Sequence, residues 1–254
     1  MKPLAQLITE KSLLNDATDL ATLGSHFAEK RNERIISLAT ALPDVMANFP
    51  EEERLIILID IVGFSQSTTR EQVYRIYLFQ KYLTAQLVNN RFAGAKKLKI
   101  AHFVPTGDGC YIIADACEPA VALEFLVALI GGFARVQTER AEPLALRASA
   151  LIGSCVPFLD MAHHKNYIGD GMNEAARILS GGQHALEAQF RADAANRTDR
   201  DAKRYSQNSL YLGDSLASAA EHFADACAAI FRYPAVADKH GKTRNITVLQ
   251  GVGR

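Results

Sequence analysis

Apolar positions along this chain fall into two rhythms that alternate. Residues 54–61 read Arg-Leu-Ile-Ile-Leu-Ile-Asp-Ile, an almost unbroken apolar run bounded by charges, which predicts a strand buried on both faces. Residues 69–90 place Val73, Ile76, Tyr77, Phe79, Leu83 and Leu87 at three- to four-residue spacing, which predicts a helix. Residues 98–104 and 110–114 predict two strands around Pro105-Thr-Gly-Asp-Gly109, a hairpin signal. A strongly apolar helix is expected over 119–136, with Pro119 at its start. A strand follows over 144–155, then a helix over 169–180 closed by Gly181-Gly182. Residues 191–208 are polar and read as a surface loop or helix, and short strands are expected at 230–233 and 245–249. The resulting order, βαββαβ, is that of a ferredoxin-like α+β fold. Residues 1–50 mix apolar and charged positions at helical spacing, with Leu13, Leu14, Leu20, Leu23 and Phe27 among them, and form an expected N-terminal helical extension to a 51–254 domain.

Composition narrows the function classes. Lys plus Arg and Asp plus Glu both number 28 in 254 residues, so there is no basic surplus of the kind nucleic-acid-binding proteins carry. No apolar run is read as approaching the ~18 residues that cross a bilayer, and Glu10 and Lys11 interrupt any signal-peptide core. The expectation is a cytoplasmic protein without membrane or nucleic-acid partners. The cysteines Cys110, Cys117, Cys155 and Cys227 lack metal-type spacing and read as buried free thiols. His163-His164 beside Lys165 reads as an exposed turn, because adjacent residues on a strand point to opposite faces.

Three segments carry chemistry. Leu58-Ile-Asp-Ile-Val-Gly-Phe-Ser65 ends an apolar strand in a carboxylate, Asp60, followed by a glycine turn. Forty-eight residues later a second carboxylate, Asp108, sits in Thr106-Gly-Asp-Gly109. Two carboxylates at the ends of neighbouring strands suit hard divalent cations, which take oxygen ligands. Turn aspartates are also common as simple caps, and that reading stands for either residue taken singly. The third segment is Tyr167-Ile-Gly-Asp-Gly-Met-Asn-Glu-Ala-Ala-Arg177, in which Asn173 and Arg177 share one helix face.

In this order and spacing the segments resemble the catalytic domain of class III nucleotidyl cyclases, over roughly residues 52–190 and the last strand. The resemblance implies that Asp60, Asp108 and the Ile61 carbonyl hold two Mg²⁺ or Mn²⁺ ions. It implies that Gly63, Phe64 and Ser65 turn their N–H groups toward phosphates. Asn173 would position the ribose and Arg177 the phosphate undergoing substitution. Lys239 would steady the triphosphate, with Lys242 close enough to compete for that role. The resemblance further implies a head-to-tail homodimer with two composite sites, the aspartates of one subunit facing the Asn/Arg helix of the other.

Two positions that read a purine base in that family depart from its pattern here. One is Val104, which offers no hydrogen bond, and the other is Asn166, whose amide offers a donor and an acceptor. In these departures, and in length, the chain resembles the pyrimidine cyclases of bacterial Pycsar antiphage systems. That resemblance implies cyclic UMP, or next cyclic CMP, made from the triphosphate and read by a separate effector protein. A purine cyclase with a divergent pocket, and a catalytically silent nucleotide-binding module, remain the alternative readings.

Overall fold

The central strand owes its position to its composition. In the computed structural model, which describes residues 51–88, 98–140, 144–159, 165–193, 198, 201–202, 205–237 and 241–253, strand β1 (Glu52–Ile61) is buried at every residue from 55 to 61. It pairs antiparallel with β3 (Gly109–Asp115), placing Arg54 opposite Asp115 and Asp60 opposite Gly109. β3 pairs antiparallel with β2 (Ile100–Pro105) through a tight turn in which the Thr106 N–H donates to the Gly109 carbonyl (3.1 Å). Helix α1 (Thr69–Val88) leads from β1 to β2, and helix α2 (Pro119–Arg140) leads from β3 to β4 (Leu146–Leu159). α1 starts at a reciprocal pair: Thr68 N–H donates to Glu71 Oε2 (2.7 Å) and Glu71 N–H to Thr68 Oγ1 (3.4 Å), a capping box.

The strand order is β2-β3-β1-β4-β6-β8-β7. Its first four members have the ferredoxin-like arrangement, so the α+β expectation holds. β6 (Ser209–Leu212) runs parallel to β4, and β8 (Thr243–Gln250) pairs antiparallel with both β6 and β7 (Ala229–Ala237). β7 is interrupted by a register shift between Tyr233 and Val236, where Ala235 has φ 53°. Helix α3 (Asp170–Ala192) follows β5 (Lys165–Ile168), and a short helix α4 (Asp214–Ala217) follows β6. The described residues belong to two compact units, Glu53–Cys155 with Gly169–Arg254, and a smaller one that includes Val156–Ile168, within which β4 pairs antiparallel with β5. Residues 1–50, the expected helical extension, lie outside the described residues.

Alternation sorts the two faces of the larger unit's sheet. Leu55, Ile57, Ile59 and Ile61 of β1 and Leu146, Ala148 and Ala150 of β4 join one apolar core with Leu78, Phe79, Leu83, Phe125, Leu129 and Phe133 of α1 and α2. Phe79 and Phe133 stack there with ring centroids 5.9 Å apart. The other face meets α3: Ser149 Oγ donates to the Ala175 carbonyl (2.6 Å), and a Cβ at Gly171 would lie 2.5 Å from Ile56 Cδ1. Asp60 and Arg147 have the parity of this second face.

Two expectations are corrected. α2 contains a stretch, Pro119–Gln137, whose 19 residues are long and apolar enough to cross a bilayer, contrary to the reading that no such run exists; more than half of it is buried inside the fold, as a core helix requires. The helix predicted to stop at Gly181-Gly182 runs on to Ala192. These glycines are packing residues rather than a terminator: a Cβ at Gly182 would stand 2.5 Å from the fully buried Tyr211 ring and 3.0 Å from Ile246 Cγ2. Cys110 and Cys155 are buried and Cys117 and Cys227 half-buried, all four as free thiols.

Alanine at a helix-interior glycine ordinarily stabilises by ~1 kcal/mol. Gly182→Ala is expected to do the reverse, costing about 1–3 kcal/mol in denaturant unfolding, because the buried ring cannot move aside. Gly181→Ala, whose Cβ would meet the half-buried Val236 methyl at 3.1 Å and Ile246 Cδ1 at an ordinary contact of 3.5 Å, should cost less. Equal effects at the two positions would refute this packing argument.

Candidate active site

The turn between β2 and β3 brings the second carboxylate to the first. The Ile61 N–H donates to the Asp108 carbonyl (3.0 Å), fixing the turn to the end of β1. Gly107 takes a left-handed φ of 93°, and a Cβ at Gly109 would run into the Ile59 carbonyl oxygen, so both glycines are needed for the approach. Thr106 Oγ1 donates to Asp108 Oδ1 (3.4 Å). Asp60 and Asp108 then line one cavity of about 300 Å³, together with Leu58, Thr106, Tyr111, Arg147 and, from α3, Ala176, Leu179, Ser180 and Gln183.

Asp60 is 8% exposed. Burial pushes its carboxyl up to about 6, with Arg147 pulling it down and the neighbouring Asp108 charge pushing it further up. Arg147, which sequence reasoning did not single out, donates to Asp60 Oδ2 from Nε (2.6 Å) and lies 2.5 Å from it at Nη2. Its Nη1 is hydrogen-bonded to Gln183 Oε1. Gln183 Nε2 donates to Glu187 Oε1 (2.7 Å), which also accepts from Ser206 Oγ (3.1 Å). The sequence signal was present: a single arginine in the otherwise uncharged run Leu144-Ala-Leu-Arg-Ala-Ser-Ala-Leu151.

After Asp60 the chain turns through Gly63 (φ 71°) into a 3₁₀ turn, Phe64–Gln66. α1 pins this turn from behind: Gln72 Nε2 donates to the Phe64 and Ser67 carbonyls (3.3 and 3.1 Å) and Arg75 Nη1 to the Val62 carbonyl (3.2 Å).

Asn173 and Arg177 lie on one face of α3, but neither lines the carboxylate cavity. Asn173 is exposed. Arg177 Nη1 is 3.5 Å from Glu174 Oε2, and Arg244 holds the same carboxylate from Nε (2.5 Å) and Nη2 (3.3 Å). Tyr111 spans from β3 to the start of α3, its hydroxyl donating to the Met172 carbonyl (3.2 Å). The structure thus brings Asp60 and Asp108 together and leaves the Asn/Arg pair outside their cavity.

Val104, half-buried in β2, stands opposite Tyr111 of β3. Asn166 stands opposite Phe158 in the smaller unit, and its Oδ1 accepts from the Tyr167 N–H (2.8 Å). Lys239, His163 and His164 lie outside the described residues; Lys242 is exposed ahead of β8. A larger cavity, about 650 Å³, lies behind the hairpin, lined by Ile76, Phe79, Leu83, Leu87, Phe103 and Cys110 among others. It presents no carboxylate.

Two carboxylates and a strand-end backbone around a solvent-reachable cavity fit a hard divalent cation, which is commonly held by one or two carboxylates with the substrate's phosphates completing its shell. Among the described residues no cluster of three or more acidic, His or Cys side chains forms a self-sufficient metal cage.

No protein-family profile matches the sequence, and no curated protein does. Among solved structures the chain is similar to the catalytic core of a rhodopsin-guanylyl cyclase with converted specificity in complex with ATPαS, at 14% identity and a TM-score of 0.53 over 80% of this chain and 98% of that one. It is also similar to the guanylate cyclase domain of RhGC from Catenaria anguillulae in complex with GTP, at 13% identity and a TM-score of 0.51 over 80% and 99%. This likeness shows the fold: the chain has the α+β architecture of class III cyclase catalytic domains.

A carboxyl raised by folding stabilises the protein at low pH, and that contribution is lost as pH rises through about 6. In chelator, the unfolding free energy of the wild type should therefore fall relative to Asp60→Asn by roughly 2 kcal/mol between pH 4.5 and 7.5. A pH-independent difference would mean that Asp60 titrates as an ordinary carboxylate.

Proposed function

We propose that this chain is a metal-dependent nucleotidyl cyclase that converts a pyrimidine nucleoside triphosphate, UTP before CTP, to the 3′,5′-cyclic monophosphate and pyrophosphate. The observation that carries the reading is the convergence of Asp60 and Asp108 on one cavity, in the fold that cyclase catalytic domains use. In the reaction the ribose 3′ oxygen bonds to the α-phosphorus, its proton passes to solvent water, and the bond from the α-phosphorus to the α–β bridging oxygen breaks with its electron pair passing to pyrophosphate. Asp60, Asp108 and the Ile61 carbonyl would hold two Mg²⁺ or Mn²⁺ ions, which when bound neutralise triphosphate charge and ease loss of the 3′ proton.

The chain's own residues then have separable tasks. Phe64 and Ser65 open a short helical turn after Gly63, and the first N–H groups of such a turn have no partner within it, which suits them to phosphate oxygens. Arg177 donates a planar fork to the α-phosphate as charge builds on it, and Asn173 orients the ribose. Their position outside the carboxylate cavity supports action on a second subunit's site, in a head-to-tail homodimer with two composite centres. Lys239, or Lys242 in its stead, steadies the triphosphate.

The choice of base rests on Val104 and Asn166. Valine offers a purine edge no hydrogen bond, and the asparagine amide suits either pyrimidine. With the resemblance to Pycsar cyclases, this supports a cyclic pyrimidine messenger read by a separate effector in antiphage defence. A purine substrate is the second reading, favoured by the two similar structures, which hold ATPαS and GTP.

Incubation with Mn²⁺ and ATP, GTP, CTP or UTP singly, with products resolved by mass spectrometry, should yield cyclic UMP or cyclic CMP. Cyclic AMP or GMP would keep the mechanism and discard the pyrimidine assignment, and no product from any nucleotide would favour a silent nucleotide-binding module. Asp60→Ala and Asp108→Ala should each reduce turnover to background, and mixing Asp60→Ala with Arg177→Ala chains should restore part of it through one intact composite centre. Absence of rescue would count against the shared site.

A further inference from the structure

We propose that Arg147 is a built-in competitor for the metal site: its guanidinium holds Asp60 Oδ2 as a surrogate cation, and a divalent ion that takes this oxygen must displace it. The inference rests on the reading of Asp60 as a metal ligand. Both Nε (2.6 Å) and Nη2 (2.5 Å) converge on a single carboxylate oxygen, Asp60 Oδ2. That oxygen offers an incoming ion little remaining acceptor capacity. The third nitrogen is tied to Gln183, so the guanidinium is anchored at both ends rather than resting loosely on the carboxylate.

The pair is shielded from solvent. The Arg147 side chain is 20% exposed and that of Asp60 11%, so bulk ions screen it weakly. Its anchor is sheltered too: Gln183 is held by Glu187, which is 6% exposed and takes a second hydrogen bond from buried Ser206. A cation fixed in this way repels a second cation at the same carboxylate, and juxtaposed like charges in a partly buried site are strongly unfavourable.

Arg147, Gln183 and Glu187 form a chain running from Asp60 along α3, the helix that also carries Asn173 and Arg177. The strength of the lock is therefore set from that helix, through Gln183, and not from the metal turn itself.

The test uses Mn²⁺ alone, without nucleotide, measured by electron paramagnetic resonance on the full chain at pH 8, where the Asp60 carboxyl is ionised. Arg147→Gln should bind Mn²⁺ at least about tenfold more tightly than the wild type. Arg147→Lys keeps the charge without the two-nitrogen grip on one oxygen and should fall between them. It also preserves the test if the glutamine variant does not fold. Unchanged or weaker Mn²⁺ binding in the folded variants would overturn the proposal and show Arg147 to be a positioning residue that helps the metal. Failure of wild type and variants alike to bind Mn²⁺, or binding undiminished in Asp108→Ala, would overturn the metal-site reading itself.

Discussion

Everything chemical in this molecule depends on how closely the β2–β3 turn approaches the end of β1. One hydrogen bond, from the Ile61 N–H to the Asp108 carbonyl, closes that approach, and the absence of a side chain at Gly109 permits it. Were the turn held an ångström or two further off, two separate surface aspartates would result. Held where it is, it gives one cavity with two carboxylates and a carboxyl already raised by burial and by its neighbour's charge. α1 supports the same end of β1 from the other side through Gln72 and Arg75.

The sheet divides its work by parity. Odd-numbered β1 residues from Leu55 to Ile61 join the core beneath α1 and α2, while Ile56, Leu58 and Asp60 have the opposite parity, and Ile56 packs on α3. Strand alternation admits no intermediate choice. The carboxylate faces α3 because the residues on either side of it are claimed by the core, and Arg147 meets it because β4 alternates in the same phase.

Much of this was legible in the chain. The strands around Asp60 and Asp108 follow from an apolar run and a Gly-Asp-Gly turn, both local signals, and the βαββαβ order follows from these together with the helical segments between them. The errors came where tertiary contact overrides local grammar. Gly181-Gly182 carries the composition of a helix terminator, and nothing within ten residues announces that Tyr211 will need the space. The four-residue β6 is too short to show a period. α2 looks like a membrane span because a helix pressed into a core and one immersed in lipid meet the same demand for apolar surface. Arg147 was overlooked because its meaning lies in a partner 87 residues away. The Asn173 and Arg177 pairing was visible as a helix face, whereas their distance from the aspartates is a property of the folded chain alone.

The break in β7 has a consequence for how copies of this protein meet. β7 closes one end of the strand order, and an outermost strand normally presents a ladder of backbone groups that another chain can join. Here Pro234 removes a donor, and Ala235, at φ 53°, turns its N–H to Asn245 Oδ1 (3.3 Å). The ladder is interrupted at mid-strand, so sheet-to-sheet polymerisation from this end is disfavoured. A second copy meeting this margin finds the backbone ladder split into two short stretches, so side-chain surfaces carry more of any contact made there.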